Sequence, residues 1–552
     1  MTSQSWAADL GIESPFTIPS GIITTVPSVL ARIARDVPQV GFLTTKTISL
    51  EPREGYREPV LHEYYPGCFV NAVGLANPGA ESFVAAMRQF LPLEGNKPLM
   101  VSIMGGDAEE FLQCALILDP IADAFELNLS CPHVKGHGQA VGSDPHVVRA
   151  IIKLLKQTVS KPIVPKLSPN LGNMTAMAEV CREAGADGLS LINTVGPGTA
   201  VDEDGNPVLS NVAGGLSGAG ILPIGLRAVR EAAQAGLPII AAGGISSASH
   251  VRAYRKAGAR LFAVGSSLAG KTTGEVAEFF RKLAHALETD TEYPDESGSH
   301  RSTTRTTYTR TEVTENRSFG ENLFGLSLKS GPSCAPGQFF FLRIPGLGEK
   351  PFSPMNDEEP CYLVRAVGPF TRGLARLRPG ESIYLRGPYG NGFPQPRKGQ
   401  PLVLIAGGTG TAPVLMAAKR WHESEARGFF GFSSPIANWM VQEIVRAVPR
   451  ALIVVDPAGR VGMVLETLAR DVKENRGLYG DSLVLVCGPG AMTLAALRLL
   501  DGTVPRDRIF VAREDIMRCG IGVCGSCGTE TGLRSCVDGP VMNPHWGSGL
   551  VS

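Results

Sequence analysis

The 552-residue sequence lacks an excess of either charge and lacks long apolar runs. Lys+Arg and Asp+Glu number 52 each, which argues against a nucleic-acid partner or an anionic membrane surface, since both attract concentrated positive charge. No stretch approaches the ~18 uninterrupted apolar residues of a membrane span. Residues 1–16 contain no apolar core of a signal peptide. We therefore expect a cytoplasmic protein that makes no contact with membranes or nucleic acids.

The sequence also lacks the cysteine pattern of a disulfide framework and shows no internal repeats. Its cysteines number 11, an odd count spread over a long chain, which favours reduced thiols with particular roles. A chain of this length predicts about three or four domains. These features are typical of an intracellular enzyme of several domains.

Four cysteines stand close together near the C-terminus. Cys519, Cys524 and Cys527 follow the spacing C-x4-C-x2-C, and Cys536 comes shortly afterwards. This is the plant-type ferredoxin spacing, and the glycines between the cysteines allow the tight turns of such a loop. A structural zinc site also accepts four thiolates, but it usually takes them from two paired C-x2–4-C units. The spacing predicts a [2Fe–2S] cluster and therefore one-electron transfer.

The first half of the sequence alternates β-rich runs with helical patterns. Because eight buried strands with helices between them are typical of a (β/α)8 TIM barrel, we predict this fold for residues 1–287. The candidate strands are residues 17–21, 41–47, 98–105, 124–130, 162–168, 187–194, 238–244 and 261–267.

The second half divides into a linker and three smaller regions. Residues 288–304 are polar, charged and aperiodic, as in a linker. Frequent turns between β-rich segments predict an antiparallel β-barrel over 305–398. Strand, glycine turn and helix then alternate, which indicates an α/β nucleotide-binding domain over 399–512. The cysteine segment, 513–552, follows it.

Polar residues follow the predicted barrel strands, at the face where such barrels carry their chemistry. In ELNLSCPH (126–133), Cys131 could act as a base or a nucleophile if its pKa is lowered. It could equally be a buried inert thiol, as we expect of Cys114 and Cys181. Asparagine amides both donate and accept hydrogen bonds, which suits a flat neutral heterocycle. Lysine suits the negative charge that develops on a reduced flavin.

Ordered motifs in this half resemble the dihydroorotate dehydrogenase family, in particular its NAD-linked class. They include TTKT (44–47), NAVGLANPG (71–79), ELNLSCP (126–132), KLSPN (166–170) and GGLSG (214–218). The resemblance implies FMN at the barrel mouth. It also implies that Cys131 takes the C5 proton of dihydroorotate while hydride leaves C6 for the flavin.

The resemblance further implies two sets of binding residues. The substrate set is Lys46, Asn71, Ala72, Val73, Gly74, Leu75, Asn128, Asn193 and Thr194. The FMN set is Ser20, Thr45, Lys46, Asn128, Lys166, Ile192, Gly218, Gly243, Gly244, Gly265 and Ser266.

Two residues depart from the family pattern. His133 stands where bacterial members usually have asparagine, and Ser102 replaces another asparagine near the flavin. Histidine after Cys-Pro also resembles the pyrimidine-reducing domain of dihydropyrimidine dehydrogenase. NAD(P)H-dependent reduction of uracil or thymine is therefore the alternative function. A catalytically silent redox sensor is a third hypothesis, but a sensor needs neither a substrate base nor a complete nucleotide site.

Residues 305–552 resemble the electron-transfer subunit of this class, a member of the ferredoxin–NADP reductase superfamily. The run Lys350–Ser353 (KPFS) matches the flavin motif R-P-x-S, with lysine as the cation in place of arginine. The resemblance implies FAD contacts from Lys350, Pro351, Phe352, Ser353, Leu363, Val364, Arg365 and Thr371.

A glycine loop, AGGTGTAP (406–413), joins a predicted strand to a predicted helix and could hold a dinucleotide phosphate. With CGPGAM (487–492) it predicts a nucleotide site. The Phe432–Ser434 run (FSS) offers no arginine for a 2′-phosphate, which favours NAD over NADP. The predicted NAD contacts are Gly407, Gly408, Thr409, Gly410, Cys487, Gly488 and Pro489.

The two halves predict one electron circuit in a fused enzyme. Electrons from dihydroorotate would pass from FMN through the cluster to FAD and then to NAD+, because flavins join two-electron to one-electron steps. The linker would keep both halves at high effective concentration. The resemblance implies oxidation of dihydroorotate to orotate in pyrimidine biosynthesis and a homodimer formed through the barrel.

Overall fold

The computed structural model describes residues 6–129, 139–293, 305–357, 359–456 and 462–544. The chain forms two compact units. The first comprises residues 1–306 together with 521–534, and the second comprises residues 307–520 together with 535–552. Cys131 and His133, and residues 294–304 of the predicted linker, lie outside the described residues.

The first unit alternates strands and helices. Its elements are α1 (Trp6–Asp9), β1 (Phe16–Thr17), α2 (Pro27–Asp36), β2 (Leu43–Thr44), β3 (Leu61–Tyr65), β4 (Cys68–Asn71), α3 (Ala80–Arg88), β5 (Leu99–Ile103), α4 (Ala108–Leu118), β6 (Ala124–Asn128), α5 (Gln139–Ser143), α6 (Pro145–Thr158), β7 (Ile163–Leu167), α7 (Met174–Ala184), β8 (Leu189–Leu191), β9 (Val195–Gly198), β10 (Gly214–Gly218), α8 (Leu222–Ala232), β11 (Ile239–Ala242), α9 (Ala248–Ala257), β12 (Leu261–Ala263) and α10 (Thr273–Glu288).

Eight parallel strands form a nearly closed barrel in the order β1-β12-β11-β8-β7-β6-β5-β2. The amide of Gly41 donates to the Phe16 carbonyl at 2.8 Å, which brings β1 to the chain that leads into β2. Helix α6 illustrates the outer layer: its buried residues Val148, Ile151, Ile152 and Leu155 recur at helical spacing on one face. The predicted TIM barrel is confirmed, with strands shorter than the predicted runs.

A four-stranded antiparallel sheet accompanies the barrel, in the order β3-β4-β10-β9. Asn71 of β4 lies opposite Gly215 of β10, a partner 144 residues further along the chain. The sequence analysis did not predict this sheet. Its β10 strand is the glycine-rich GGLSG, which has little intrinsic preference for a strand and forms one through its distant partner.

The second unit begins with strands and ends with an α/β region. Its elements are β13 (Thr309–Gly320), β14 (Leu323–Leu328), β15 (Phe339–Ile344), β16 (Gly348–Phe352), β17 (Cys361–Arg365), α11 (Pro369–Leu374), β18 (Ser382–Tyr389), β19 (Leu402–Gly407), α12 (Thr411–Arg420), β20 (Ala426–Phe432), α13 (Asn438–Ala447), β21 (Arg450–Val455), α14 (Gly462–Glu474), α15 (Arg476–Tyr479), β22 (Leu483–Cys487), α16 (Gly490–Leu500), β23 (Ile509–Ala512) and β24 (Val541–Met542).

The strands of this unit form two sheets of different kinds. The first is antiparallel, with the order β16-β15-β18-β13-β14-β17, and a bridge between Pro354 and Tyr362 brings its two edges together. The second has the order β21-β20-β19-β22-β23-β24 and is parallel except for β24. Both the predicted antiparallel region and the predicted α/β region are therefore present. No helix in the described part of the chain is long and apolar enough to cross a membrane.

Candidate functional site

A cleft lies at the carboxyl ends of the barrel strands, with about 1230 Å³ of empty space including its open mouth. This is the face on which barrels of this type carry their ligands. Its lining gathers most of the predicted substrate and FMN residues: Ser20, Lys46, Asn71, Val73, Gly74, Leu75, Asn128, Lys166, Ile192, Asn193, Thr194, Gly218, Gly243, Gly244, Gly265 and Ser266.

A chain of side-chain hydrogen bonds fixes the amides of this cleft. The Asn193 amide nitrogen donates to Oδ1 of Asn128 at 3.2 Å, and the Asn128 nitrogen donates to Oγ1 of Thr47 at 3.1 Å. Thr47 also shares a hydrogen bond of 3.0 Å with Ser20. Because Asn128 is held at both ends of its amide and Asn193 at its nitrogen, the planes of both amides have a defined direction. The polar side chains of the cleft are therefore preorganised.

Beneath the cleft lies a buried carboxylate that the sequence analysis missed. The side chain of Glu126 on β6 accepts hydrogen bonds of 2.9 Å from Ser102 and from Ser190. Its Oε1 lies 3.5 Å from Nζ of Lys166, and both side chains are almost completely buried. A carboxylate inside the apolar run AFELN was the available signal, because a buried charge requires partners. Ser102 thus bonds inward to this carboxylate and to Thr47.

Two predicted binding residues do not line the cleft. Thr45 is fully buried; its hydroxyl donates to the Lys46 carbonyl at 2.8 Å and accepts from the Ser102 amide at 3.0 Å. Ala72 packs in an apolar cluster with Val70 and Leu209. Both residues therefore support neighbours of the cleft, while Lys46 and Val73, which adjoin them in sequence, line it.

The cysteine segment contributes to the same cleft. Val523 and Cys524 are among its lining residues. The Ile23 amide donates to the Val523 carbonyl at 2.7 Å, and the Thr25 hydroxyl donates to the Cys524 carbonyl at 2.7 Å. Gly525 has a φ of +69°, and a Cβ there would lie 2.4 Å from the Ile23 carbonyl oxygen. The loop therefore needs glycine at this position to approach the barrel so closely.

Two other barrel cysteines are inert, as predicted. Cys114 and Cys181 are fully buried on α4 and α7. Burial raises the pKa of each thiol to about 12. At neutral pH both remain protonated, and so neither competes for the roles of nucleophile or base.

The second unit contains a cleft at the predicted FAD motif, with about 1130 Å³ of empty space including its mouth. Of the predicted FAD residues, those that line it are Lys350, Pro351, Phe352, Ser353, Leu363, Arg365 and Thr371. Val364 instead packs into the apolar core of the antiparallel sheet. The alternation of Leu363, Val364 and Arg365 along β17 explains this, because successive side chains of a strand point to opposite faces.

A further cleft of the second unit follows the glycine loop, with about 950 Å³ of empty space including its mouth. Of the predicted NAD contacts, those that line it are Gly407, Gly408, Thr409 and Pro489. Gly410 and Cys487 instead line the FAD-motif cleft. Gly488 lines neither of these two clefts. A Cβ on Gly410 would lie 2.5 Å from the Cys487 carbonyl oxygen, so the glycine lets the loop pack against β22.

Two acidic residues in these clefts were not predicted. Asp456 follows β21 and is buried. It lines the glycine-loop cleft together with Ser433. Glu514 lines both clefts of the second unit, together with Arg365 and Thr409. Burial raises the pKa of Glu514, and the positive charge of Arg365 partly opposes that shift. The two clefts therefore share a carboxyl of raised pKa and a cation.

Comparison with known proteins identifies the family. Residues 4–287, more than half of the chain, match the family described as dihydroorotate dehydrogenase. The chain belongs to this family. The catalytic subunit of dihydroorotate dehydrogenase B (NAD(+)) of Pyrococcus horikoshii is 42% identical over 258 residues, which are 46% of this chain and 83% of that protein. The proteins of the same name from Pyrococcus abyssi and Geotalea daltonii are each 40% identical, over 46% and 42% of this chain and 84% and 76% of their own lengths.

A second match covers the cysteine segment of this dihydroorotate dehydrogenase family member. Residues 514–545 match the iron–sulfur cluster binding domain of dihydroorotate dehydrogenase B, which supports an iron–sulfur cluster. All four predicted ligands are buried: Cys519, Cys524, Cys527 and Cys536. Within the described residues, no three or more His, Cys, Asp or Glu side chains are grouped as they would be around a single metal ion. The assignment of these four thiols as ligands therefore stays a prediction from their spacing.

Proposed function

We propose that this protein is a fused, NAD-dependent dihydroorotate dehydrogenase that oxidises dihydroorotate to orotate in pyrimidine biosynthesis. One observation carries the proposal: the cleft of fixed asparagines and lysines at the barrel mouth has Cys524, a predicted cluster ligand, in its wall. A substrate site and an electron exit then share one cavity. The names of the relatives favour dihydroorotate over the alternative substrates uracil and thymine.

The substrate would be held by amides and one cation. Asn71, Asn128 and Asn193 offer the donor and acceptor edges that a dihydropyrimidine ring requires. Lys46 lines the same cleft and is almost fully buried, so its charge can meet the carboxylate that distinguishes dihydroorotate from uracil. Cys131, beyond the described residues, is proposed as the base that removes the C5 proton.

The FMN would supply hydride acceptance from C6 and the change from two-electron to one-electron transfer. The chain's own contribution is a positive charge and a close backbone approach. Lys166 lines the cleft beside its buried partner Glu126. Gly243 and Gly244, with φ of +117° and +72°, leave the main chain uncovered where barrels of this type commonly hold a phosphate. A Cβ at Gly244 would lie 2.8 Å from the Leu222 side chain, so glycine is required there.

The second unit would return the electrons to a nicotinamide nucleotide. FAD would occupy the cleft lined by Lys350 and Ser353, and NAD+ the one lined by Gly408 and Thr409. Since both clefts share Arg365, Thr409 and Glu514, a flavin and a nicotinamide could meet there. The carboxylate of Asp456 beside Ser433 disfavours a 2′-phosphate and supports NAD over NADP. A cytoplasmic location and a homodimer formed through the barrel complete the proposal.

The decisive experiment follows flavin absorbance under anaerobic conditions. Purified protein is mixed with dihydroorotate, and NAD+ is added after the flavin has bleached. We expect bleaching followed by NADH formation. Failure of dihydroorotate to bleach the flavin, together with NADPH- or NADH-driven reduction of uracil, would overturn the proposal in favour of a dihydropyrimidine dehydrogenase.

Two variants test the proposed route. Cys131→Ala should slow flavin bleaching by dihydroorotate by about 10²–10⁴-fold, the usual contribution of a general base, while NADH still reduces an artificial dye. Cys524→Ser should leave bleaching intact and abolish NADH formation from dihydroorotate. Cys181→Ala, at an inert buried thiol, is the matched control. If a folded, flavin-loaded Cys131→Ala protein lost both activities, the assigned role of Cys131 would be wrong.

A further inference from the structure

A fully buried ion pair in the second unit lies outside every cleft described above. Arg386 on β18 and Glu349 on β16 both have side chains with no exposed surface, and their closest contact is 2.5 Å. Nε of Arg386 donates to Oε2 of Glu349 at 2.9 Å, and Nη2 donates to Oε1 at 2.5 Å. This two-pronged geometry fixes the plane of the guanidinium group.

Aromatic residues complete the surroundings of the pair. The Tyr308 hydroxyl donates to Oε2 of Glu349 at 2.7 Å. The guanidinium carbon of Arg386 lies 3.8 Å from the ring centre of Phe341, and its Nη1 donates to the Tyr389 hydroxyl at 3.0 Å. A buried pair of this kind is costly to desolvate, so its burial alone is weak evidence that it stabilises the fold. We therefore ask what else its polar contacts hold in place.

A further role is indicated by the remaining bond of Arg386. Its Nη1 also donates to the main-chain carbonyl of Cys519 at 2.9 Å. Cys519 is the first cysteine of the C-x4-C-x2-C run and is itself buried. At Gly520, with φ of +78°, a Cβ would lie 2.8 Å from the Phe341 ring and 3.2 Å from Nη1 of Arg386. The chain is thus pressed onto the guanidinium group at this cysteine.

The same pair is continuous with the predicted FAD motif. Glu349 immediately precedes Lys350 on β16, and Lys350, Pro351 and Phe352 line the FAD-motif cleft. Because neighbouring residues of one strand are rigidly connected, fixing Glu349 also fixes the start of the motif. One buried pair therefore holds both the backbone of a cysteine and the strand of the flavin motif.

We infer that Arg386 is a positioning residue for electron transfer: it holds the Cys519 backbone and places a fixed positive charge beside the iron–sulfur cluster. This inference rests on the proposed function. Buried thiols, close-packed glycines and a donor aimed at the loop suit such a cluster, whose potential depends on nearby charge and hydrogen bonds. Removing the positive charge should lower the reduction potential, since an added electron would then be less stabilised.

The test compares Arg386→Lys and Arg386→Met with a matched control, Arg343→Lys. Arg343 on β15 is as buried as Arg386. Its guanidinium group stacks on Tyr308, at 5.0 Å from the ring centre, and on Tyr384. Tyr389→Phe is a milder variant that removes only one acceptor of Arg386. Each purified protein is assayed for iron and sulfide content, the electron paramagnetic resonance spectrum of the reduced cluster, and the cluster potential.

We expect a lower cluster potential in Arg386→Met, a changed resonance spectrum in Arg386→Lys, and a small change of the same sign in Tyr389→Phe. Dihydroorotate should still bleach the flavin of these variants, and electron transfer to NAD+ should fall by at least about tenfold. Spectra and potentials equal to those of the wild type, with a loss of stability like that of Arg343→Lys, would overturn the inference. A wild-type protein without a cluster would also overturn it. Absence of dihydroorotate activity in a cluster-bearing wild type would instead count against the proposed function alone.

Discussion

Two buried ion pairs, one in each unit, differ in what surrounds their cations. Lys166 and Glu126 are separated by 3.5 Å, and Lys166 also lines the barrel cleft. Arg386 and Glu349 approach to 2.5 Å through two hydrogen bonds and line no cleft described above. The looser pair has its cation in the wall of a ligand-sized cleft. The tight pair instead donates its remaining hydrogen bond to the main-chain carbonyl of Cys519.

The difference shows how burial can serve two purposes. Glu126 also accepts hydrogen bonds from two serines, so it has partners besides Lys166. Glu349 depends on Arg386 and Tyr308. Removing one partner should therefore affect ligand chemistry in the first pair and folding in the second.

The largest expected effect follows from Lys166→Met. Removing this cation should slow flavin bleaching by dihydroorotate by about 10²–10³-fold, the usual effect of losing one preorganised electrostatic contact. Stopped-flow absorbance under anaerobic conditions measures it. The exposed Lys153→Met on α6 is the control. A Lys166→Met protein that bleaches at the wild-type rate would remove the distinction between the two pairs.

Glu349→Gln should instead act on stability. Breaking a buried pair by neutralising one partner leaves an uncompensated charge and costs about 3–5 kcal/mol in the free energy of unfolding. Chemical denaturation followed by circular dichroism measures this cost. Bleaching of the flavin by dihydroorotate should persist in the folded fraction. Glu312→Gln, at an exposed surface pair, should change the free energy of unfolding by less than about 1 kcal/mol.

Glu126→Gln should have a smaller effect, confined to the barrel cleft. Glutamine can keep hydrogen bonds to Ser102 and Ser190, but it no longer balances the charge of Lys166. The flavin potential should rise, because a more positive cleft favours the reduced flavin, and turnover should change by about tenfold or less. An anaerobic redox titration checks the sign. A fall in the potential would contradict the described role of the carboxylate.

The smallest effect concerns pH and Glu514. Burial raises the pKa of this carboxyl above its ordinary 4.5, so the folded state holds a proton that the unfolded state releases. The resulting stability is present below the ordinary pKa and is lost as pH rises through the raised value. Glu514→Gln should flatten the fall in stability across that window. Denaturation midpoints measured from pH 4 to 8 compare the two proteins, with Glu312→Gln as the control that should leave the fall unchanged.

Most of the residues chosen from the sequence for their side-chain chemistry line the barrel cleft. Asn71, Asn128 and Lys166 carry their chemistry in the residue type and line the cleft together. Thr45 does not line it, although it lies next to Lys46, because the direction of a side chain depends on the backbone. Prediction was less complete in the second unit, where Gly410 and Cys487 line a different cleft from the one expected. Glycine loops bind through the main chain, and their neighbours depend on packing that spacing does not encode.

Residues 521–534 belong to the barrel unit, so this unit is incomplete until the end of translation. The bond from Thr25 to the Cys524 carbonyl joins residues 499 positions apart, and Ser28 reaches the Thr529 carbonyl over 501 positions. At about 5–20 residues per second, the ribosome needs tens of seconds to make the chain between them. During that interval the barrel lacks one wall of its cleft. A chain that ends before residue 521 should bind flavin more weakly, so completion of the cofactor site should be a late event that follows synthesis of the whole second unit.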